Sequence, residues 1–250
     1  MEVHHHPHVE KKNFKEYFLE FIMIFLAVTM GFFAESFREH LIENKKEKEY
    51  IISLKEDLVS DTTTLINLIP DAQLQLEKLD SLCILLKLAS GGGRYNIHQL
   101  YYFNFTYSFG LILFGENERT ISQIKSTGAF NLIENKKCKD SVTFYYNFYE
   151  TIKNESKDVE NWMDDANKMS QKIFDYSLIK TFGFRGGADI FLNDSLPLKL
   201  INNDGVVINE YMNKVRSLMM MLDNHLRLEK MQLENGKNLI YLLNSEYQLK

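Results

Sequence analysis

The feature that most constrains this chain is a nearly uninterrupted apolar run close to its N-terminus. Residues 21–34 are all apolar or small apart from Thr29, and Glu20 and Glu35 bracket them. Extended to residues 17–37, the run has about 21 residues, which at about 1.5 Å per residue can cross a bilayer core of roughly 30 Å. The run therefore predicts a single N-terminal transmembrane helix.

Two other interpretations of the apolar run are weaker. A buried helix of a soluble protein would also be apolar all round, but a position so near the N-terminus fits a membrane anchor better. A cleaved signal peptide is the other alternative, since residues 34–36 loosely resemble a small-residue cleavage site. Phe32, Phe33 and the charge-rich sequence that follows fit a cleavage site poorly, so we expect an uncleaved anchor.

Four residues of the run are candidates for a role in the membrane. Glu20 and Glu35 lie within about one turn of an interface, where a hydrated carboxylate is more favourable than an intramembrane functional one. Gly31 and Ala34 are small residues, which allow two membrane helices to approach closely.

The first 16 residues form a histidine-rich head. Four of the chain's seven histidines lie here: His4, His5, His6 and His8. Clustered imidazoles suit Zn, Ni or Cu, but their spacing fits no defined structural zinc site. We favour a flexible polar head that binds metal adventitiously, and no cofactor is predicted.

The sequence after the span predicts a helical stalk over residues 38–69. Residues 38–49 balance four basic and four acidic side chains, so charge does not indicate the orientation across the membrane. Apolar residues then recur in steps of three, four and seven, which predicts one helical stripe for packing on a partner helix or on the body: Ile51, Leu54, Leu58, Leu65 and Ile69. Pro70 predicts a break or kink.

The remaining residues, 70–250, predict an extramembrane helical bundle. The whole chain has only 3 Pro and 12 Gly, too few turn residues for a many-stranded protein. A helix is expected to end at the glycine run 91–93. Residues 101–109 alternate aromatic and other side chains, which indicates a strand or a buried helix, and the helical surroundings favour the helix.

Further helices are predicted along the bundle. Asn117 is expected to cap a short helix over 118–125 that stops at Gly128. Longer helices are expected over 135–176 and 207–247, separated by a long loop over 183–205 with room for a short hairpin. The fold class is therefore mainly α: one transmembrane helix, a stalk and a helical bundle.

No catalytic motif is present in the sequence, so we expect no enzymatic activity. Glu56, Asp57 and Asp61 form an acidic group that a solvated helix face explains. Cys83 and Cys138 could form a disulfide or remain two buried thiols, and we favour the thiols. The formal net charge of −5 gives no basic excess, so no nucleic-acid partner is expected.

The span and the residues after it resemble a family of single-pass membrane proteins of unknown function found in Bacteroidota. The matching positions in and beyond the span are Tyr17, Phe18, Glu20, Phe21, Met23, Phe25, Leu26, Ala27, Val28, Gly31, Phe32, Ala34, Glu35, Arg38, Glu39, His40, Glu43, Lys48, Tyr50, Ser53, Leu54, Asp57, Leu58 and Asp61. Residues 124–128 and 131–133 are similar to a motif of a broader related family. The resemblance implies native histidines, a bacterial inner membrane, a cytoplasmic N-terminus and a periplasmic C-terminal domain. It implies no activity.

Three functions are compatible with these features. The favoured one is a non-enzymatic scaffold or accessory subunit of an envelope complex, whose partners are the bilayer and either further copies of the chain or other membrane proteins. An ion-conducting or gating oligomer lined by Glu20 and Glu35 is one alternative. A periplasmic ligand sensor with a metal-binding head is the other.

Overall fold

The computed structural model describes residues 13–110, 112–178 and 188–249, and every regular element in these ranges is helical. The five α-helices are α1 (Phe14–Ser90), α2 (Ile97–Tyr107), α3 (Arg119–Thr127), α4 (Lys136–Ser170) and α5 (Gly205–Tyr247). Short 3-10 turns cover Ala129–Leu132, Tyr176–Leu178 and Ala188–Leu192. The mainly α prediction is confirmed, as is the preference for a helix over the aromatic sequence 101–109.

The chain divides into two compact units, and the first comprises residues 1–50. Residues 14–50 of this unit belong to α1, which is long and apolar enough to cross a membrane. None of the most apolar window of this helix is buried. Phe21, Phe32 and Phe33 are 63%, 74% and 72% exposed. Because water disfavours so much apolar surface, lipid or another protein is needed to cover it.

The second unit comprises residues 51–250 and begins within α1. Ile51, Leu54, Leu58 and Leu65 are fully buried, because their spacing places them on one helix face. The apolar stripe predicted for the stalk therefore packs into this body. Further along the unit, one core combines side chains of α1, α2, α4 and α5.

The predicted helix break at Pro70 is wrong, since α1 continues through this residue to Ser90. A proline removes one backbone N–H and displaces the carbonyl four residues earlier, that of Ile66. Both Pro70 and the side chain of Ile66 are exposed, so water can reach this side of the helix. Burial of Leu65 and Leu79 on either side stabilises the continuous helix.

Helix ends partly match the sequence predictions. α1 ends at Ser90, directly before the glycine run. Gly128 ends α3 with a φ of 71°, in the left-handed region that glycine tolerates. Asn135 caps α4 by accepting a hydrogen bond from the Cys138 N–H at 3.1 Å.

Two predicted ends need correction. α4 ends at Ser170 rather than near residue 176, because the chain turns there and Ile173 and Phe174 enter the core. The N-cap position of α3 is Glu118 rather than Asn117, and Glu118 makes no side-chain capping bond. In the predicted loop over 183–205, the described part from 188 onward contains a 3-10 turn and no strand.

A set of uncharged polar side chains lies buried between α2, α4 and α5. The Asn104 Oδ1 accepts hydrogen bonds from the Ser170 hydroxyl at 3.0 Å and from the Tyr211 hydroxyl. The Tyr176 hydroxyl donates to Ser170 at 3.1 Å, and the Ser108 hydroxyl donates to the Asn104 carbonyl. We call Asn104, Ser108, Ser170, Tyr176 and Tyr211 the neutral network.

Candidate functional site

Two aspartates of α1 are buried rather than solvated, which contradicts the sequence prediction for the acidic group. Asp57 is 0% and Asp61 is 2% exposed, whereas Glu56 is on the surface as expected. Ionised carboxyl groups are costly to bury unless hydrogen bonds or opposite charges compensate them. Their partners therefore define the polar site of this body.

Asp57 holds the first turn of α3. Its Oδ1 accepts a hydrogen bond from the Arg119 guanidinium at 2.8 Å, and its Oδ2 accepts one from the backbone N–H of Thr120 at 3.0 Å. The N–H groups of the first helical turn have no partners within their own helix. The Asn117 side chain accepts only the N–H of Arg119, at 3.2 Å. Asp57 thus supplies most of the capping that the sequence predicted for Asn117, from a position 63 residues away.

Asp61 lies one turn further along α1 and binds the chain just before α3. Its Oδ1 accepts a hydrogen bond from the Asn117 N–H at 2.9 Å, and its Oδ2 accepts one from the Tyr145 hydroxyl at 3.1 Å. Burial raises the pKa of Asp61 from 3.8 to about 6, while these two hydrogen bonds lower it and the nearby Asp57 raises it. Asp61 is therefore a carboxyl group that titrates near neutral pH.

Glu116 faces the same region of the body. Its Oε1 is buried and has no hydrogen-bond partner among the residues that the structure describes. Burial raises the pKa of Glu116 from 4.5 to about 9; Asp61, Glu118 and Glu150 raise it further, and Lys125 lowers it. At neutral pH Glu116 therefore holds a proton while Asp61 is mostly ionised.

Two adjacent tyrosines of α4 complete this part of the site. Burial raises the pKa values of Tyr145 and Tyr146, and the charges of Asp61 and Glu116 raise them further, so both hydroxyls stay protonated. The Tyr146 hydroxyl is buried and has no hydrogen-bond partner in the described part of the chain. The Lys125 ammonium lies 6.0 Å from the centre of the Tyr146 ring.

Polar side chains of α5 extend the site. Glu229 is fully buried and its Oε1 accepts a hydrogen bond from the Phe114 N–H at 3.2 Å. The Nε2 of the buried His225 lies 3.3 Å from the same Glu229 oxygen. The Gln232 side-chain amide donates to the Tyr145 carbonyl at 3.3 Å. We call Asp57, Asp61, Glu116, Tyr145, Tyr146 and Glu229 the carboxyl network.

The composition of the carboxyl network favours proton binding. Arg119 pairs with Asp57 and His225 lies beside Glu229, whereas the pKa of Glu116 is raised by Asp61, Glu118 and Glu150 and lowered by Lys125. Ionisation of Glu116 together with its acidic neighbours is therefore unfavourable. No group of three or more His, Cys, Asp or Glu among the described residues is arranged to hold a metal ion. With pKa values of about 6 for Asp61 and about 9 for Glu116, the network can take up and release protons.

The sequence contained a signal for these buried groups that the predictions missed. Asp57 and Asp61 lie three and seven positions after Leu54, on the same helical stripe as the buried leucines. Likewise His225 and Glu229 lie three and seven positions after Leu222 in α5. A polar residue on an apolar stripe is therefore better interpreted as a buried group than as a solvated one.

The site residues predicted in the membrane segment are spread over α1 rather than gathered into a pocket. Glu35 accepts a hydrogen bond from the Arg38 Nε at 3.0 Å, one turn along the helix. A Cβ atom placed on Gly31 would meet no other atom within 4 Å in the described structure, and Ala34 is exposed. Glu20 is half-buried.

The histidine head, the predicted loop and the two cysteines are the remaining sites predicted from the sequence. The histidine head with His4, His5, His6 and His8 lies outside the described residues, as do residues 183–187 of the predicted loop. Cys83 and Cys138 are both buried and are not joined by a disulfide, which confirms the prediction of two thiols.

Comparison with known proteins leaves the family unassigned. No protein-family model, curated protein or solved structure matches the chain. The resemblance to the Bacteroidota membrane family therefore stays a prediction.

Proposed function

We propose that this protein is a non-enzymatic assembly subunit of a bacterial envelope complex, anchored in the inner membrane by residues 17–37. Its N-terminus would lie in the cytoplasm and its body in the periplasm, as the family resemblance implies. The observation that carries the proposal is the apolar surface of the first unit, where none of the most apolar window is buried in the described structure.

The hydrogen bonds of the buried carboxylates fit a structural role within the chain. Three carboxylates of the carboxyl network accept hydrogen bonds from backbone N–H groups of the same chain, those of Phe114, Asn117 and Thr120. These carboxylates therefore stabilise the fold by accepting hydrogen bonds from the chain's own backbone. In the membrane segment, the ion pair of Glu35 with Arg38 favours a position at the interface, where both groups reach water.

Gly31 offers a direct way to test assembly. Since a Cβ atom at this position would meet nothing within 4 Å in the described structure of a single chain, we expect Gly31→Leu to leave the isolated chain undisturbed. A second helix packed closely against Gly31 would instead be pushed away. We expect the variant to assemble about tenfold more weakly, equivalent to about 1.4 kcal/mol.

The test uses the full chain extracted from bacterial membranes in a mild nonionic detergent. Light scattering gives the protein mass of each particle, to be compared with 29.4 kDa for one chain, and mass spectrometry identifies co-purifying proteins. Thr29→Leu is the matched control, because Thr29 is also a small residue but lies about 160° around the helix from Gly31. A wild-type monomer that co-purifies with nothing would overturn the proposal.

A further inference from the structure

The segment between α2 and α3 is held to the body by carboxylates. Residues 112–118 form no helix, and two of their backbone N–H groups find carboxylate acceptors: Phe114 on Glu229 of α5, and Asn117 on Asp61 of α1. The Phe114 ring is buried in a small core with Leu65. The segment thus closes over the body through one aromatic side chain and two charge-assisted hydrogen bonds.

Glu116 sits between these two attachment points and faces mainly negative charge. The groups that act on it are Asp61 of α1, Glu118 of the segment itself, Glu150 of α4 and Lys125 of α3. Three acidic groups therefore oppose one basic group around a half-buried carboxyl group whose Oε1 is buried. Lys153 offsets part of the charge of Glu118 and Glu150, to which its ammonium lies at 3.5 and 3.8 Å. Ionisation of Glu116 in place is unfavourable, whereas ionisation in water is not.

An independent observation points to the same position. The Tyr146 hydroxyl belongs to a side chain that is only 5% exposed, and it has no hydrogen-bond partner among the described residues. Among the acidic groups that raise the pKa of Tyr146, Glu116 comes first, ahead of Asp61 and Asp57. Two buried polar atoms without partners in the described residues, the Tyr146 hydroxyl and the Glu116 Oε1, therefore belong to the same part of the carboxyl network.

We propose that residues 112–118 form a proton-operated latch, closed on the body while the Glu116 carboxyl carries a proton and released from α1 and α5 when that proton is lost. Release frees the backbone N–H groups of Phe114 and Asn117 and exposes the Phe114 ring. The latch does not depend on membrane assembly. It gives the body a surface that changes with pH.

Hydrogen–deuterium exchange of the full chain in detergent tests the latch between pH 5 and 9. Protection of peptides covering residues 112–120 is corrected for intrinsic exchange at each pH. Because the pKa of Glu116 is about 9 when buried and 4.5 in its ordinary state, the opening constant should rise by up to about tenfold per pH unit. Peptides of α2, which carries part of the neutral network, should show no such trend.

Two substitutions distinguish opening controlled by Glu116 from a general loss of stability as the pH rises. Glu116→Gln keeps the size of the side chain and cannot ionise, so protection of the segment should lose its pH dependence above about pH 7, where Asp61 is already ionised. Glu118→Gln removes a charge from the same segment at an exposed position and should retain that dependence. A wild-type segment with constant protection from pH 5 to 9, or a Glu116→Gln profile like that of the wild type, overturns the proposal.

Discussion

The carboxyl network and the neutral network both place polar atoms in the core of the second unit, but they respond differently to pH. In the neutral network the donors are hydroxyls, and burial raises the pKa of Tyr176 to about 12 and that of Tyr211 further still. In the carboxyl network, the pKa values of Asp61 and Glu116 lie at about 6 and about 9. The neutral network therefore stays uncharged across neutral pH, whereas the charge of the carboxyl network changes.

The two networks also hold different parts of the chain. The neutral network links side chains on helices whose backbone groups are already paired, such as Asn104 in α2 and Tyr211 in α5. The carboxyl network binds backbone N–H groups that have no helical partner, at residues 114, 117 and 120. Charged acceptors give stronger hydrogen bonds than neutral ones, and here they fix the irregular segment and the start of α3.

The largest expected effect comes from removing a carboxylate that fixes α3. Asp57→Ala should lower the free energy of unfolding by about 3 kcal/mol, because the buried N–H of Thr120 loses its acceptor and Arg119 loses its partner. The measurement is urea denaturation of the full chain in nonionic detergent at pH 7, followed by near-UV circular dichroism.

Glu56→Ala is the control for this substitution. Glu56 is adjacent in sequence and also acidic, but its side chain is 67% exposed and its carboxylate lies 4.0 Å from Arg119. Exposed ion pairs of this kind contribute little, so almost no change is expected. Equal losses for the two variants would contradict the assignment of Asp57 as a buried cap.

A smaller loss of stability is expected when one tyrosine hydroxyl is removed from either network, and its dependence on pH should differ between the two networks. Tyr145→Phe removes a hydrogen bond that stabilises ionised Asp61, so its cost should be about 2 kcal/mol at pH 8 and about 1 kcal/mol at pH 5. Tyr211→Phe removes a hydrogen bond between uncharged groups, and its cost should be about 1 kcal/mol at both pH values.

Denaturation of both variants at the two pH values measures the difference. The Tyr211→Phe variant serves as the control, because each substitution deletes one buried hydroxyl. If the cost of Tyr145→Phe does not change with pH, Asp61 does not titrate in this range.

Sequence patterns predicted most helices because the patterns are local. The glycine run 91–93, the predicted helix start at Asn135 and the stop at Gly128 depend on a few residues each, and each matches an observed helix end to within one residue. Pro70 is an equally local signal, but it failed because packing of α1 on both sides stabilises the helix through it.

The site could not be predicted in the same way, because its partners are distant in sequence. Asp57 and Asp61 meet backbone groups 56 to 63 positions away, and Glu229 meets Phe114 at a separation of 115. Helical periodicity places the two aspartates on the buried face, but it gives no indication of the backbone groups that compensate their charge. Burial of Glu116 depends on the path of an irregular segment, which no periodic pattern describes.

Storage of a proton on Glu116 in the folded body is the property on which the latch depends. It is measured by the free energy of unfolding from pH 5 to 9 for the wild type and for Glu116→Gln, with the full chain in nonionic detergent. Because the pKa of Glu116 is raised from 4.5 to about 9, the folded protein binds more protons than the unfolded one in this range. The contribution of Glu116 to stability is therefore full at low pH and is lost as the pH rises.

The wild type should lose stability relative to Glu116→Gln steadily from pH 5 to 9, so the difference between the two profiles should have a clear slope. Parallel profiles, or a wild type that gains stability relative to the variant as the pH rises, would show that Glu116 does not hold a proton in the folded body.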